Sequence, residues 1–323
     1  MTRIASLLLV AGLIGFTSHV SPAQAQQARS FVSGAIGNDG NAPNCTRNAP
    51  CRSFQVAHDN TLANGEITVL DPGSYGAVTI NRTISIINDG VGEAGVLISG
   101  GNIGITINGA AADKVSLRGL TIKGIGFGGG DGIVFNSGAF LSVENCAIRN
   151  LSGPGALGNG IIFQPNLSGA TTNLAITNTI LADNDASGLW VHPSGTGRVN
   201  VAVNRVEAYH NGIDGIIAED TLFTGLILVA VESSVAAQNG SVGFEAFAPA
   251  SHGPLFMNVV RSVAASNGHG FNAGVSSVTS VGQSELIGNQ VTWAGQVASW
   301  ADNYVNQNLD GDPPAPLGTI GKK

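Results

Sequence analysis

A glycine followed by an aliphatic or aromatic residue returns every 27 or 28 positions through most of this chain: Gly104-Ile105, Gly132-Ile133, Gly160-Ile161, Gly188-Leu189, Gly215-Ile216, Gly243-Phe244 and Gly270-Phe271. A fixed period of that length means stacked structural units, each unable to bury its apolar side chains alone. One step back lands on Gly76-Ala77 and one step forward on the segment Val297 to Trp300, which predicts about nine units between Glu66 and Leu309. A second marker keeps the same beat. Asn184, Asn211, Asn239 and Asn267 each end an apolar stretch and precede the glycine pair by a few residues.

Between the markers, apolar and polar residues alternate over three to five positions, as in Leu141-Ser142-Val143-Glu144 and Leu174-Ala175-Ile176-Thr177. That is the period of strands. Short strands in parallel register from coil to coil would place inward Val, Ile, Leu and Phe in continuous columns. Asn or Gly would fall where the backbone turns with positive φ. A leucine-rich repeat would show Leu-x-x-Leu-x-Leu, and a propeller blade needs about 40 residues; neither pattern occurs. The expectation is an all-β, right-handed parallel β-helix of about nine coils.

Composition agrees. The chain has 46 glycines and 11% charged residues, and its mean hydropathy is positive, +0.22, so most side chains must be hidden. Arg3, the apolar run Ile4 to Phe16 and the exit Ala23-Gln24-Ala25 read as a signal peptide over residues 1–25. The run is too short for a bilayer about 30 Å thick, so no membrane insertion is expected and the mature chain would be secreted, periplasmic or at the cell surface. Only 14 Lys and Arg against 21 Asp and Glu argue against a nucleic-acid partner.

Residues 26–65 read as an N-terminal cap. Within it, 52–64 carry Phe54, Ala57 and Leu62 at helical spacing, with Ser53 as N-cap and Asn64-Gly65 as the stop. Cys45 and Cys51 stand six apart in a polar loop with no neighbouring histidine, so in an exported chain they read as a disulfide rather than a metal site. Cys146 sits in an apolar-alternating strand and reads as core. Residues 66–309 would form the β-helix, and the proline-rich tail, 310–323, an extended or mobile segment.

The stretches Phe31-Val32-Ser33-Gly34, Gly37-Asn38-Asp39-Gly40-Asn41, Ala49-Pro50-Cys51-Arg52-Ser53-Phe54 and Gly65 to Tyr75 resemble the opening of bacterial right-handed parallel β-helix repeat proteins of the pectate-lyase-like superfamily. With the coils, the resemblance spans roughly residues 29–309. It implies a bias toward carbohydrate but no single reaction, because lyases, hydrolases, epimerases, esterases and adhesins share the fold. Lyases of the superfamily use Arg or Lys as base and calcium held by clustered acids; no such cluster stands in the sequence. Its galacturonan hydrolases carry Gly-His-Gly, matched here by Gly268-His269-Gly270. The same slot holds Ile213-Asp214-Gly215 and Ser241-Val242-Gly243 in the preceding coils, however, so His269 reads as a variable turn residue.

Counting from each repeat glycine, the first and third residues point inward, and the second and fourth outward. The fourth-position row runs Asn108, Asn136, Gln164, His192, Glu219. The second-position row runs Thr106, Val134, Ile162, Trp190, Ile217, Glu245, Asn272. An indole beside carboxylate and amide groups can stack on a sugar ring and hydrogen-bond its hydroxyls, making Gln164, Trp190, His192, Glu219 and Glu245 candidate carbohydrate-binding residues. The structural alternative is that the row lies under a loop such as 193–198 or 248–256. Asp131 and Asp214, before repeat glycines, and Asp183 and Asp185, flanking Asn184, read as turn residues. No metal site and no cofactor are expected, and Asp310-Gly311-Asp312 lacks the remaining ligands of a calcium loop.

Three functions stay open: a carbohydrate-binding β-helix with polysaccharide as partner, a polysaccharide lyase or glycoside hydrolase with His192 and Glu219 as acid and base, and a structural or adhesive cell-surface module.

Overall fold

A computed structural model describes residues 27–320 apart from 125–128 and 156. The expected signal peptide, 1–25, lies outside the described residues. The chain winds as a right-handed parallel β-helix. Nine strands, Val78–Ile80, Ile105–Asn108, Ile133–Ser137, Ile161–Phe163, Leu189–Val191, Ile216–Glu219, Val242–Phe247, His269–Ala273 and Val291–Gly295, pair in chain order as one sheet, called here the glycine face. A second sheet of twenty strands forms the rest of the wall. Its longest members, Asn166–Ala182 and Ser194–Tyr209, pair in parallel along nearly their whole length. They bend where Asn178 and Arg205 take φ of 48° and 53°.

The core follows the alternation. Ile105 and Ile107 are fully buried while Thr106 and Asn108 face outward. Ile105, Ile133, Ile161, Leu189, Ile216, Phe244, Phe271 and Trp293 stand in one inward column. Two pairs of core rings stack across coils, Phe135 on Phe163 at 4.6 Å and Phe244 on Phe271 at 5.1 Å between centroids. Such stacking joins one coil to the next.

Both repeat markers have physical causes other than positive φ. At Gly160 and Gly188 an added Cβ would lie 2.5 and 2.7 Å from the carbonyl oxygen of the next repeat glycine. Glycine is therefore required by the close approach of backbones. At the asparagines the left-handed residue is the one before: Asp183, His210, Gln238 and Ser266 all have φ of 55°. This corrects the expectation that the asparagines themselves turn the chain. Their side chains instead form a buried ladder, in which Nδ2 of Asn184, Asn211, Asn239, Asn267 and Asn289 donates to Oδ1 of the next at 2.9–3.0 Å, ending on Asn308. Asp312 terminates the ladder, accepting from Asn308 N and Nδ2.

Both ends depart from the 27–28 beat. Val78 pairs with Ile105, which places Ala77 rather than Gly76 in the glycine slot. After Gly270 the slot falls to Thr292, with Trp293 opposite Phe271, so Val297–Ser299 belongs to the larger sheet. At the N-terminus, Gln27–Val32 pairs in parallel with Thr61–Val69. Helix α1 spans Phe54–Asp59, shorter than 52–64, with Ser53 Oγ accepting from Val56 N. Phe54 and Ala57 are buried, whereas Leu62 lies on the following strand and is exposed. Cys45 and Cys51 form a disulfide. Cys146 is buried, and desolvation pushes its thiol up to about 11. The segment after Leu309 is docked on the last coil rather than mobile. Trp293 Nε1 donates to Pro313 O at 2.8 Å and Leu317 N to Val297 O at 2.9 Å.

Candidate functional site

The outward side of the glycine face is mostly closed. Val134, Ile162 and Ile217 are 3%, 6% and 9% exposed. Of the two segments expected as a covering loop, 194–198 is part of the strand Ser194–Tyr209 of the larger sheet, whereas 248–254 is turn and irregular backbone that leads into the strand Leu255–Val260. Trp190, between Ile162 and Ile217 in the same row, is half-buried.

Two contacts fix the Trp190 ring. It stacks on His192, two residues on and just past the end of its strand, with centroids 4.7 Å apart and planes 8° from parallel. Its Nε1 donates to Glu219 Oε2 at 2.9 Å, one coil along. The other oxygen of Glu219 accepts from Thr221 Oγ1 at 2.9 Å, and Thr221 Oγ1 lies 3.1 Å from His192 Nε2. Trp190, His192, Thr221 and Glu219 therefore close a ring of contacts. A side chain held on several sides loses little entropy when a ligand arrives.

Trp190 and Glu219 also line a cavity of about 170 Å³ together with Asn159, Ala186, Ser187, Ile213, Asp214 and Ile217. Pockets enclosing a drug-sized ligand run to about 300–1,000 Å³, so this one accommodates a single ring or the edge of a chain. Asp214 at its wall is 3% exposed and accepts from Val242 N at 2.9 Å. Burial holds its pKa above the usual carboxylate range. Glu245 stands beside Ile217 in the next coil. Burial first, then the negative charges of Asp214 and Glu219, push Glu245 up to about 7, against a hydrogen bond from Asn272 Nδ2 at 2.8 Å.

Of the five residues expected from sequence, Trp190 and Glu219 line the cavity, His192 supports the indole, and Glu245 adjoins the cavity wall. Gln164 belongs to another feature, an outward amide ladder in which its Nε2 donates to Asn136 Oδ1 and Asn136 Nδ2 to Asn108 Oδ1, both at 2.9 Å. His192 and Glu219 do not touch; Thr221 bridges them. Sequence reasoning missed Thr221, which falls beyond the strand end, and gave Asp214 only a turn role. The latter could have been found, since Asp214 precedes Gly215 in the coil after Trp190, as Ser187 precedes Gly188 in the Trp190 coil. Just beyond Glu219, Asp220 is fully buried, with Oδ1 3.7 Å from His252 Nδ1, and burial raises its pKa.

Among the described residues no group of three or more His, Cys, Asp or Glu is placed to hold a metal ion, and no helix is long and apolar enough to cross a membrane. His269 opens the strand His269–Ala273 and pairs with Val242 and Val291.

No protein-family model and no curated protein matches this chain. Among solved structures it is similar to the crystal structure of pectate lyase Pel9A, with a TM-score of 0.59 and 15% identity over 85% of this chain and 80% of that one. The GH136 lacto-N-biosidase from Eubacterium ramulus aligns with a TM-score of 0.39 and 12% identity, over 86% and 68% of the two chains. The A-module of the Azotobacter vinelandii mannuronan C-5 epimerase AlgE6 aligns at 0.23 and 11%, over 88% and 89%. The chain thus shares the right-handed parallel β-helix fold of Pel9A.

Proposed function

We propose that the glycine face around Trp190 binds carbohydrate. One observation carries this reading: an indole held by Glu219 and His192 walls a small, mostly apolar cavity of the kind a sugar ring stacks in, with Glu219 at its wall as a hydrogen-bonding group for a hydroxyl. The cavity takes one ring, and a longer glycan would continue along the face toward Glu245 and Asn272. The fold agrees, since Pel9A by its name acts on a polysaccharide. A chain exported after cleavage near Ala25 would meet such polymers outside the cytoplasm. The test is affinity electrophoresis and a glycan array on the mature chain. Trp190→Ala is expected to weaken binding at least tenfold, the loss of about 1.4 kcal/mol that removal of one aromatic platform readily exceeds. Unchanged binding in the variant would remove Trp190 from the site.

A second reading, glycoside hydrolysis, is favoured by Glu245. A carboxyl group that keeps its proton near pH 7 beside the hydrogen-bonded carboxylate of Glu219 is the division between acid and base that this reaction uses. Release of new reducing ends that disappears in both Glu245→Gln and Glu219→Gln would establish it. Silence across a broad polysaccharide panel leaves the binding reading alone.

A further inference from the structure

The Trp190 cavity has an unusual charge environment. Asp214 and Glu219 line it, and Glu245 lies one coil along, where the negative charges of the other two act on it. None of the nine strands of the glycine face carries a Lys or Arg. The described cations are placed elsewhere, on the larger sheet, on its turns, or in the N-terminal segment. Arg118, Lys123 and Arg261 pair there with Asp89, Glu93 and Glu232. The one basic group on the nine strands is the imidazole of His269; His192 follows directly after the strand Leu189–Val191. His192 is already engaged, with its ring on Trp190 and Nε2 on Thr221. His269 lies at a strand start opposite Val242, three coils beyond the Trp190 strand.

A ligand in this mostly apolar cavity has the carboxyl groups of Asp214 and Glu219 at its wall and, among the described residues, no Lys or Arg lining it. Sugar hydroxyls are donors and satisfy carboxylate oxygens. A uronate carboxylate brings a second anion into a partly desolvated site where repulsion is poorly screened. Repulsive groups are as effective as attractive ones in setting specificity. We propose that the Trp190 site selects uncharged glycans and rejects polyuronates. The inference rests on the carbohydrate-binding reading above and adds the substrate class to it. It also separates this chain from a protein whose name specifies pectate, although the two share a fold.

The test uses two ligands with the same sugar chain and different charge states: a galacturonan oligomer of one length, either fully methyl-esterified or fully de-esterified, with the Gln variants and the salt dependence separating charge from the added methyl groups. Binding to the mature chain is measured by isothermal titration at pH 8 and low salt, alongside a panel of neutral glucan, galactan and xylan oligomers. The expected result is that the uncharged ester or a neutral oligomer binds at least tenfold more tightly than the de-esterified chain. The discrimination should shrink in Glu219→Gln and Glu245→Gln and with added salt. Equal or tighter binding of the de-esterified chain, lost in Trp190→Ala, would overturn the selectivity and leave the sugar site standing. Binding of no oligomer, charged or neutral, would overturn both readings together. Retained discrimination in both Gln variants would also overturn the inference, because the carboxylates would then not be its cause.

Discussion

The glycine face and the larger sheet are built from the same coils and share one core, yet they treat charge in opposite ways. On the larger sheet, acids and bases meet across coils at the surface: Arg29 with Glu66, Lys123 with Glu93, Arg118 with Asp89, Arg261 with Glu232. Each pair is at least partly in water, where an ion pair contributes little and repels nothing. On the glycine face, Asp214, Glu219 and Glu245 have no cationic partner among the described residues and accept from neutral donors, the Val242 amide, Trp190, Thr221 and Asn272. Paired charges complete a surface, whereas carboxylates satisfied only by neutral groups keep a field directed outward. On the proposed reading, the difference separates the side of the coil stack that serves the stack itself from the side that meets a ligand.

The boundary of the glycine face is where the largest effect is expected. Asn239 lies in the buried ladder at its edge. Its Oδ1 accepts from Asn211 N and Nδ2, and its Nδ2 donates to Ala208 O and Asn267 Oδ1. Asn239→Ala strands several of these groups away from water, at about 1–3 kcal/mol each, for a loss on the order of 3–5 kcal/mol. Asn200, on the outer side of the larger sheet, donates its Nδ2 to Asn173 Oδ1 at 2.9 Å and accepts at Oδ1 from the exposed Arg198 Nε at 2.7 Å, contacts open to water. Water replaces those contacts, so Asn200→Ala should cost less than about 1 kcal/mol. Urea denaturation of the two variants measures the gap. Equal losses would mean that the ladder is no more important than any surface amide pair.

The contrast between the two asparagines also shows what sequence could and could not reveal. The ladder asparagines were visible as a 27–28 beat, and that beat was enough to fix the fold, because a period shared by glycine and asparagine leaves few architectures. Their role was not visible. A turn residue and a side-chain ladder leave the same spacing, and only the φ values of Asp183 and Gln238 against those of their asparagine neighbours distinguish the two. The last coils were misplaced for a related reason: from Asn267 the ladder steps to Asn289 and Asn308, intervals of 22 and 19 residues, as loops between strands shorten while the stacking contacts persist. Counting from the glycines aligned Trp190, Glu219 and Glu245 because they stand on strands with fixed alternation, and His192 because it directly follows one. It could not place Thr221, which lies past a strand end, nor show that Asp214 faces the cavity, because turn geometry carries no such periodicity.

A smaller effect, and one that depends on pH, is expected on the glycine face itself. Glu245 is raised to about 7 from an ordinary value of 4.5. A carboxyl whose folded pKa is raised contributes its full stability below the unfolded value and loses it as pH climbs through the folded one. Folding is therefore unaffected by ionisation of Glu245 below pH 4.5 and penalised increasingly up to about pH 7, after which the penalty is constant. Glu245 is partly exposed, and screening brings that penalty to roughly 1–3 kcal/mol. Glu245→Gln keeps the shape and removes the charge. Its urea midpoint should exceed that of the parent at pH 8 and coincide with it at pH 4. A variant equally stable, or less stable, at pH 8 would mean that the carboxylates do not repel one another, and the electrostatic contrast between the two sheets would lose its basis.

The least effect is expected where a charge is removed from the larger sheet. Arg261 and Glu232 pair across adjacent coils with side chains 53% and 47% exposed. Both ends are solvated after Arg261→Ala, so the change should lie within about 0.5 kcal/mol and vanish in 1 M salt, where the screening length falls to about 3 Å. Arg261 is also the left-handed residue of its coil, φ 50°, in the column that contains Arg205 and Ser233. Alanine tolerates that conformation poorly, so Arg261→Asn, which visits it more readily, separates the backbone effect from the charge. If the asparagine variant still lost more than about 1 kcal/mol at low salt and at 1 M salt alike, the pair would be structural rather than a solvated surface contact. In that case unpaired carboxylates would no longer distinguish the glycine face as the side where charge has been left available for a ligand.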